Sequence, residues 1–298
     1  MSQAVSPSAQ RPYGLLRVAR VWKIARSSVY AIRARLRKNR PAVSKRGPTT
    51  GLDDAGLLQK IRDVLTNSPW VGEGYRKVWA RLRAEKVRTA PRRVLRLMRE
   101  AGLLAPGRLG NAHGPKAHDG TILAERPDVR WGTDGTSTLT DEGNATIFVV
   151  VDHCTAECVG IHAARRGTRW EALEALRQGV RQNFGEIRGQ VADGLELRHD
   201  HGSAFISDDY QDELTFLGIK SSPSYVREPE GNGCSERFIR TLKEQLLWLR
   251  PFKTIAELQA VLQEFRERYN REWLIQRHGY RTPAAVRAEL LSPARVAA

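Results

Sequence analysis

Two features are scarce in this sequence of 298 residues, and each scarcity excludes a class of protein. Only three cysteines are present, an odd number without a secretion signal, so a disulfide framework is not expected and a reducing cytoplasm is implied. No apolar run of about 18 residues, signal peptide or lipidation motif occurs, which argues against a membrane partner. Cys154 and Cys158 lie near His153 and His162, but the surrounding run alternates like strands and lacks a second ligand pair. Packed thiols are therefore expected there rather than zinc.

Positive charge is abundant and unevenly placed. The formal net charge is +16, and residues 1–127 carry 27 Lys and Arg against 8 Asp and Glu, whereas residues 128–298 carry 22 against 25. A cationic front half fits a polyanionic partner, because each Lys or Arg that neutralises a phosphate releases counterions. Since nothing points to a membrane, nucleic acid is the favoured polyanion.

Composition divides the chain into four parts. Residues 39–52 combine prolines, glycines and cations and are typical of a linker, and a glycine-containing connector follows at 105–127. The last residues, from Ser292, are expected to fray. The predicted parts are an N-terminal helix-turn-helix segment with its linker at 1–50, a second helix-turn-helix domain at 51–104, the connector, and a larger domain with C-terminal helices at 128–298.

Both small parts show helical periodicity. The first candidate spans about residues 13–38, and in the second an apolar face recurs at helical spacing from Tyr75 to Leu82. A following helix begins near Pro91, turns Val94, Leu95 and Met98 inward, and ends at Gly102. It displays arginines outward, at Arg92, Arg93, Arg96 and Arg99. The second helix of a helix-turn-helix enters the major groove, so these arginines are candidate DNA contacts, although a solvated surface on a helical bundle has the same periodicity.

From residue 130 onward the pattern becomes rich in strands. Three β-branched segments at 131–140, 145–154 and 157–167 precede an amphipathic helix at 168–185. Further strands are predicted at 195–200 and 219–226 with a helix between them, and long helices are predicted at 234–249 and 254–269. This order predicts an α/β domain.

Three acids occupy the positions where an α/β sheet gathers its site. Asp134 lies in the first strand, Asp200 directly follows the fourth strand, and Glu236 lies in the first turn of a helix. Singly, each has an ordinary explanation as a cap or turn residue. Three convergent carboxylates would repel one another unless cations lay between them, and hard oxygen ligands suit Mg²⁺ or Mn²⁺.

The joint arrangement resembles a known family. Two aspartates, then 35 intervening residues before a glutamate on a helix, resemble the core of retroviral integrases and related transposases. The segments GYRKVWARLRAEKV, RVLRLMREAGL, EGNGCSERFIRTLKEQLLW and YNREWLIQRHGYRTPAAV resemble OrfB-type transposases of the insertion-sequence family numbered three. The resemblance covers about residues 15–290.

That resemblance implies a fold, a site and a location. It implies an RNase H-like integrase core, preceded by small all-α helix-turn-helix domains, with Asp134, Asp200 and Glu236 as catalytic residues and metal ligands. His201 stands where relatives carry Asn and is a possible substrate-orienting residue, or a solvent-facing turn residue. The first 112 residues contain neither Cys nor His, so the zinc module of retroviral relatives is missing and a transposon or phage-like enzyme is favoured. A bacterial, nucleoid-associated protein is expected.

Two metal ions in one active site would catalyse cleavage and joining of phosphodiester bonds. One ion lowers the pKa of the attacking oxygen and the other supports the leaving 3′ oxygen. Water then cuts one DNA strand at the end of the mobile element. The 3′-OH that is released attacks a second phosphodiester and joins the two DNA segments. Arg240 and Lys243 lie four and seven residues after Glu236, on one helix face, and are predicted to contact DNA. An ordinary salt-bridged helix surface is the alternative.

The predicted function is therefore transposition, by nicking at element ends and strand transfer. A DNA-binding regulator with an inactive core, or a nuclease that cuts without joining, are the alternatives. The expected partners are double-stranded DNA, as terminal repeats and target, and further copies of the chain, at least a dimer when two ends pair. The resemblance also implies a possible upstream-frame protein with a helix-turn-helix and zipper, alone or as a fusion.

Overall fold

The computed structural model describes residues 2–37, 51–107, 124–224 and 232–292. The chain divides into two compact units, Met1–Gly51 and Leu52–Ala298. The first unit contains α1 (Gly14–Val21) and α2 (Arg26–Arg37), within the first predicted helix-turn-helix. Most of the predicted linker, connector and tail lies outside the described residues. No helix in the described ranges is both long and apolar enough to cross a lipid bilayer.

The second unit opens with three helices: α3 (Asp54–Asn67), α4 (Tyr75–Ala84) and α5 (Pro91–Glu100). The α3 helix begins where the Asp53 carboxylate accepts a hydrogen bond from the backbone N–H of Gly56 at 2.8 Å. The expectation that Leu95 packs inward was wrong: Leu97 is buried instead, and Leu95 is only partly buried. Positions 94, 97 and 98 follow the three-and-four spacing of one helix face, and position 95 lies off that face. These helices enclose their own core, formed by Leu57, Ile61, Val64, Val78, Leu82, Val94, Leu97 and Met98.

A five-stranded mixed sheet forms the centre of the rest of the unit. Its strands are β1 (Arg130–Thr140), β2 (Gly143–Asp152), β3 (Cys158–Ala164), β4 (Glu196–His199) and β5 (Lys220–Pro223), in the order β3-β2-β1-β4-β5. The first three pair antiparallel as a meander, and β4 and β5 add in parallel beside β1. The α6 helix (Arg169–Phe184) and the α7 helix (Asp208–Leu217) make the crossovers. Three strands, a helix and two further strands were predicted in this order.

Helices cover both faces of this sheet. Alternate residues of β2 point to opposite sides, so Ile147, Val149 and Val151 join one core and Phe148 and Val150 join another. The first core includes α8 (Gly233–Leu242) and α9 (Ile255–Glu272), and the second includes α6 and α7. A short 3₁₀ turn (Gln276–His278) and α10 (Pro283–Leu290) follow α9.

The α3–α5 domain packs directly on the sheet domain, which the sequence did not reveal. Trp70 is buried in the first core, where it makes edge contacts with Phe265 and Trp273 at ring-centroid distances of 5.9 and 5.0 Å. The backbone of Val71 exchanges two hydrogen bonds of 2.8 Å with the side-chain amide of Gln245. The loop between α3 and α4 is therefore part of the core of the catalytic domain.

Candidate active site

The sheet register places two of the predicted acids at the same level. Gly132 of β1 pairs with Arg198 of β4, and the two strands run parallel. Asp134 and Asp200 each lie two residues further along the chain. Because side chains alternate along a strand, both acids also belong to the face that holds Gly132 and Arg198.

The third acid comes from the helix that covers this same face. Glu236 lies in the first turn of α8, and Asn232, the N-cap residue of that helix, donates a hydrogen bond of 2.8 Å from its side chain to the Thr133 carbonyl next to Asp134. The start of α8 is thus joined directly to the strand that carries Asp134. The α8 helix passes at Lys243 into a π-helical turn, Lys243–Leu247, a rare local geometry that occurs often at functional sites.

Electrostatics place the charges of the other two acids near Asp134. The pKa of Asp134 is raised from 3.8 to about 6, first because the carboxyl is largely removed from water, and further by the negative charges of Asp200 and Glu236. A hydrogen bond from the Gly135 N–H at 2.7 Å and the charge of Lys243 act in the opposite direction. The pKa of Glu236 is also raised by burial, and Arg240 opposes that shift. Asp134 therefore lies under the electrostatic influence of Asp200, Glu236 and Lys243, and Glu236 under that of Arg240.

The acids are not arranged as a closed ligand shell. Within the described ranges, no group of three or more His, Cys, Asp or Glu side chains is placed to hold a metal ion. Asp200 accepts a hydrogen bond of 2.8 Å from the Gly202 N–H, and a side chain at Gly202 would meet that carboxylate at 2.9 Å. A side chain at this position would press against the Asp200 carboxylate, so Gly202 leaves space for it.

The α5 arginines are more engaged than the sequence suggested. Arg93 and Arg96 form ion pairs with Asp54 at 2.7 and 2.5 Å, and Arg96 also pairs with Glu100 at 2.9 Å. Both side chains reach the carboxylate of Asp54 at the start of α3, an ion pair that the sequence did not reveal. Arg92 and Arg99 are exposed. Whether any of the four contacts DNA remains a prediction.

The remaining predicted residues fall into two groups. His201 is exposed beside Asp200, and Arg240 is exposed on α8, as the predicted surface roles require. Cys154 and Cys158 are buried, and burial raises the pKa of both thiols, that of Cys154 to about 11. His162, which lies near them in sequence, contacts Glu171 at 2.6 Å instead.

Sequence reasoning missed a buried polar group next to the acids. His153, Asn232 and Ser235 are all buried, and all three approach Gly132. The available signal was a glycine two positions before Asp134 together with a histidine directly after β2.

Comparison with known families agrees with this architecture. Two families described as integrase core domain match residues 124–229 and 217–283, and a family described as HTH-like domain matches residues 52–109. These matches confirm the predicted α/β, RNase H-like integrase core preceded by a helix-turn-helix-like helical domain.

Individual relatives come from insertion elements. The chain is 27% identical over 280 residues to the transposase InsD for insertion element IS2A/D/F/H/I/K of Escherichia coli, covering 92% of this chain and 90% of the relative. It is 27% identical over 287 residues to an uncharacterized 48.2 kDa protein of insertion element IS2A from Escherichia coli, covering 94% of this chain and 66% of that longer relative. The matches confirm the predicted enzyme class, a transposase or integrase, and the predicted link to transposition and DNA integration.

Solved structures with a similar backbone are viral. One is a simian T-cell lymphotropic virus intasome in complex with the PP2A regulatory subunit B56 gamma, with a TM-score of 0.47, 17% identity, and coverage of 74% of this chain and 72% of that chain. Another is the HTLV-2 integrase catalytic core domain in complex with magnesium, with a TM-score of 0.41, 19% identity, and coverage of 54% and 97%.

Proposed function

We propose that this chain is an OrfB-type transposase of the insertion-sequence family numbered three, and that Asp134, Asp200 and Glu236 are its catalytic residues. The observation that carries the proposal is the convergence of the three carboxyls. The β1–β4 register brings the two aspartates level, α8 adds the glutamate on the same face, and the charges of Asp200 and Glu236 raise the pKa of Asp134.

The chemistry of this donor set suits a divalent cation, which would draw the three carboxyls into one ligand group. Burial and mutual repulsion disfavour the ionised form of Asp134, which is the penalty that a hard cation between carboxylates removes. Asp134, Asp200 and Glu236 would hold Mg²⁺ or Mn²⁺, with two ions per active site. When bound, the ions would activate the attacking oxygen and stabilise the leaving oxygen of a phosphodiester.

The chain's own residues then have distinct tasks. The three acids would hold the metal ions, and Arg240 on α8 and Lys243 directly after it would bind the phosphates of the element end. In the nicking step, water attacks phosphorus and the P–O3′ bond breaks, which leaves a 3′-OH. In the joining step, that 3′-OH attacks a second phosphorus and displaces another 3′ oxygen, so the number of phosphodiester bonds is conserved.

DNA is the proposed macromolecular partner, both as terminal repeats and as target. The helix-turn-helix-like domain supplies Arg92 and Arg99 as exposed cations, with Arg93 and Arg96 available where phosphate replaces Asp54. His201 lies beside Asp200 and is proposed to orient substrate. Pairing of two ends requires at least a dimer.

The deciding experiment is a nicking and strand-transfer assay on labelled end DNA in Mg²⁺. Asp134→Asn, Asp200→Asn and Glu236→Gln should each abolish both steps while the protein stays folded and bound to DNA, since each removes one ligand charge. Asp208→Asn is the matched control, because it makes the same change at an exposed position of α7 and should leave both steps intact.

The products separate the rival functions. Wild-type protein that nicks but never joins would identify a nuclease, and protein that binds ends without nicking would identify a regulator with an inactive core. Cleavage at near wild-type rate by any one of the three acid variants would overturn the site assignment.

A further inference from the structure

Three buried polar atoms converge on one point beside the catalytic strand. His153 Nε2, Asn232 Oδ1 and Ser235 Oγ lie 2.6, 2.5 and 2.6 Å from the position that a side-chain carbon on Gly132 would occupy. The three residues are 3%, 6% and 0% exposed. None of these atoms has a hydrogen-bond partner among the described residues. Buried polar atoms are costly unless they are satisfied, so three of them around one point call for an explanation.

The convergence joins the elements that carry the catalytic acids. Gly132 lies two residues before Asp134 on β1, and Ser235 immediately precedes Glu236 on α8. Asn232, at the start of α8, also donates a hydrogen bond from its side chain to the Thr133 carbonyl at 2.8 Å. The β1 strand and the first turn of α8 are thus in polar contact on either side of Gly132.

The histidine comes from a third element and is held by its backbone. The His153 N–H donates to the Arg130 carbonyl at 3.0 Å, and the Arg277 guanidinium donates to the His153 carbonyl at 2.9 Å. Burial, together with Arg130, Arg277 and Arg198, lowers the pKa of His153 to about 4, so its imidazole is neutral near pH 7. A neutral imidazole nitrogen and a hydroxyl can each donate or accept, and the asparagine oxygen accepts, so one water molecule among them can satisfy all three.

We propose that His153, Asn232 and Ser235 form a polar clamp that fixes the start of α8 against β1 and so sets the position of Glu236 relative to Asp134. None of the three atoms bonds another directly, so the clamp closes through one ordered water among them. Its members are positioning residues, because they act on the acids and not on substrate. Gly132 is required at its centre, since any side chain there would displace all three groups.

The effect of the clamp on metal binding and cleavage rests on the proposed function, but its effect on the α8 helix does not. Its test therefore begins with the stability of that helix. Amide hydrogen exchange across α8 is compared in Gly132→Ala and Gly233→Ala. The second variant adds the same methyl at the start of the same helix, where a side-chain carbon would meet nothing within 4 Å. Gly132→Ala should speed exchange of the α8 amides by at least about tenfold, and Gly233→Ala should leave it near wild type.

A second series tests the hydrogen bonds without adding volume to the strand. His153→Phe keeps a ring but removes the nitrogen, His153→Gln keeps a polar end, and Ser235→Ala removes one hydroxyl. Manganese affinity, measured by electron paramagnetic resonance, should weaken about tenfold in His153→Phe and Ser235→Ala, and His153→Gln should recover most of the loss. Melting temperatures of all variants identify any that have simply unfolded.

The outcomes separate the two proposals. Equal α8 exchange in Gly132→Ala and Gly233→Ala, or equal manganese affinity in His153→Phe and His153→Gln, would refute the clamp. If the wild type binds no Mn²⁺ and Asp134→Asn changes nothing, the proposed metal-dependent function fails, and the exchange comparison still decides the clamp by itself.

Discussion

The α5 and α8 helices both carry cations, and they differ in what those cations face. On α5, Arg93 and Arg96 are paired with Asp54 at the start of α3. Arg240 on α8 acts on Glu236, and Lys243, directly after α8, acts on Asp134; the pKa values of both acids are raised. The α5 arginines are thus neutralised by an acid of their own domain. The cations at Arg240 and Lys243 instead lie near carboxyls whose negative charges disfavour ionisation of Asp134. A stripe of arginines therefore does not by itself indicate a DNA-binding surface. Neighbouring acidic side chains determine whether those arginines are already paired within the protein.

The largest expected effect is on the free energy of unfolding, which should be lowered by the raised pKa of Asp134. An acid whose pKa is raised on folding binds more protons in the folded state, so stability falls as pH rises from 3.8 to about 6 and stays lower above that range. In the absence of divalent ions, Asp134→Asn should therefore stabilise the protein at pH 7.5 by up to about 2 kcal/mol, once partial exposure is allowed for, and should change little at pH 3.5.

Thermal unfolding in chelator at the two pH values measures this difference. Asp208→Asn, an exposed acid on α7, serves as the control and should show no gain that depends on pH. A melting temperature of Asp134→Asn that equals the wild type at pH 7.5 would mean that the folded protein imposes no penalty on this carboxylate.

The second test reverses the charge of Lys243, the first residue of the π-helical turn after α8. Lys243→Glu should reduce cleavage of a short end duplex by at least about tenfold when enzyme is limiting, because repulsion replaces attraction to phosphate near the site. Arg237→Glu makes a comparable reversal at an exposed position of α8 and should have a smaller effect. Equal cleavage by Lys243→Glu and wild type at limiting enzyme would make Lys243 an ordinary surface residue.

Much of this arrangement was predictable, because it depends on local patterns. Alternating strands, amphipathic helices and the positions of Asp134, Asp200 and Glu236 within them can be interpreted from short windows of sequence. The pairing of Asp54 with the α5 arginines was not predictable, since it joins residues about 40 positions apart. The same applies to Trp70 in the core, to the Gln245–Val71 contact and to the convergence on Gly132, which exist only after the chain folds.

The third test asks which α5 arginines reach DNA. Arg92→Ala with Arg99→Ala should weaken binding to end DNA about threefold to tenfold and reduce the slope of log affinity against log salt by up to about two. Arg93→Ala with Arg96→Ala should weaken binding less, because Asp54 already balances those charges, but should lower the melting temperature slightly. The same salt slope in the two double variants would show that the ion pairs with Asp54 do not prevent Arg93 and Arg96 from binding DNA.

The smallest expected effect comes from replacing Asp54, the acid that pairs with the α5 arginines. This variant leaves every arginine in place, so it tests the influence of the ion pairs directly. The Arg96 and Arg93 guanidinium groups, through their hydrogen bonds, hold the pKa of Asp54 below its usual value, so this acid is ionised and competes with phosphate. Asp54→Asn removes that competition, and we expect the affinity for end DNA to increase about twofold at physiological salt. Asp63→Asn removes an equal charge from the same helix at a position bonded to Gln59, and it measures the general effect of net charge. Titrations of both variants at several salt concentrations should give a larger gain and a steeper salt slope for Asp54→Asn. Equal gains would show that Asp54 acts only through net charge, and that the α5 face with Arg93 and Arg96 does not bind phosphate.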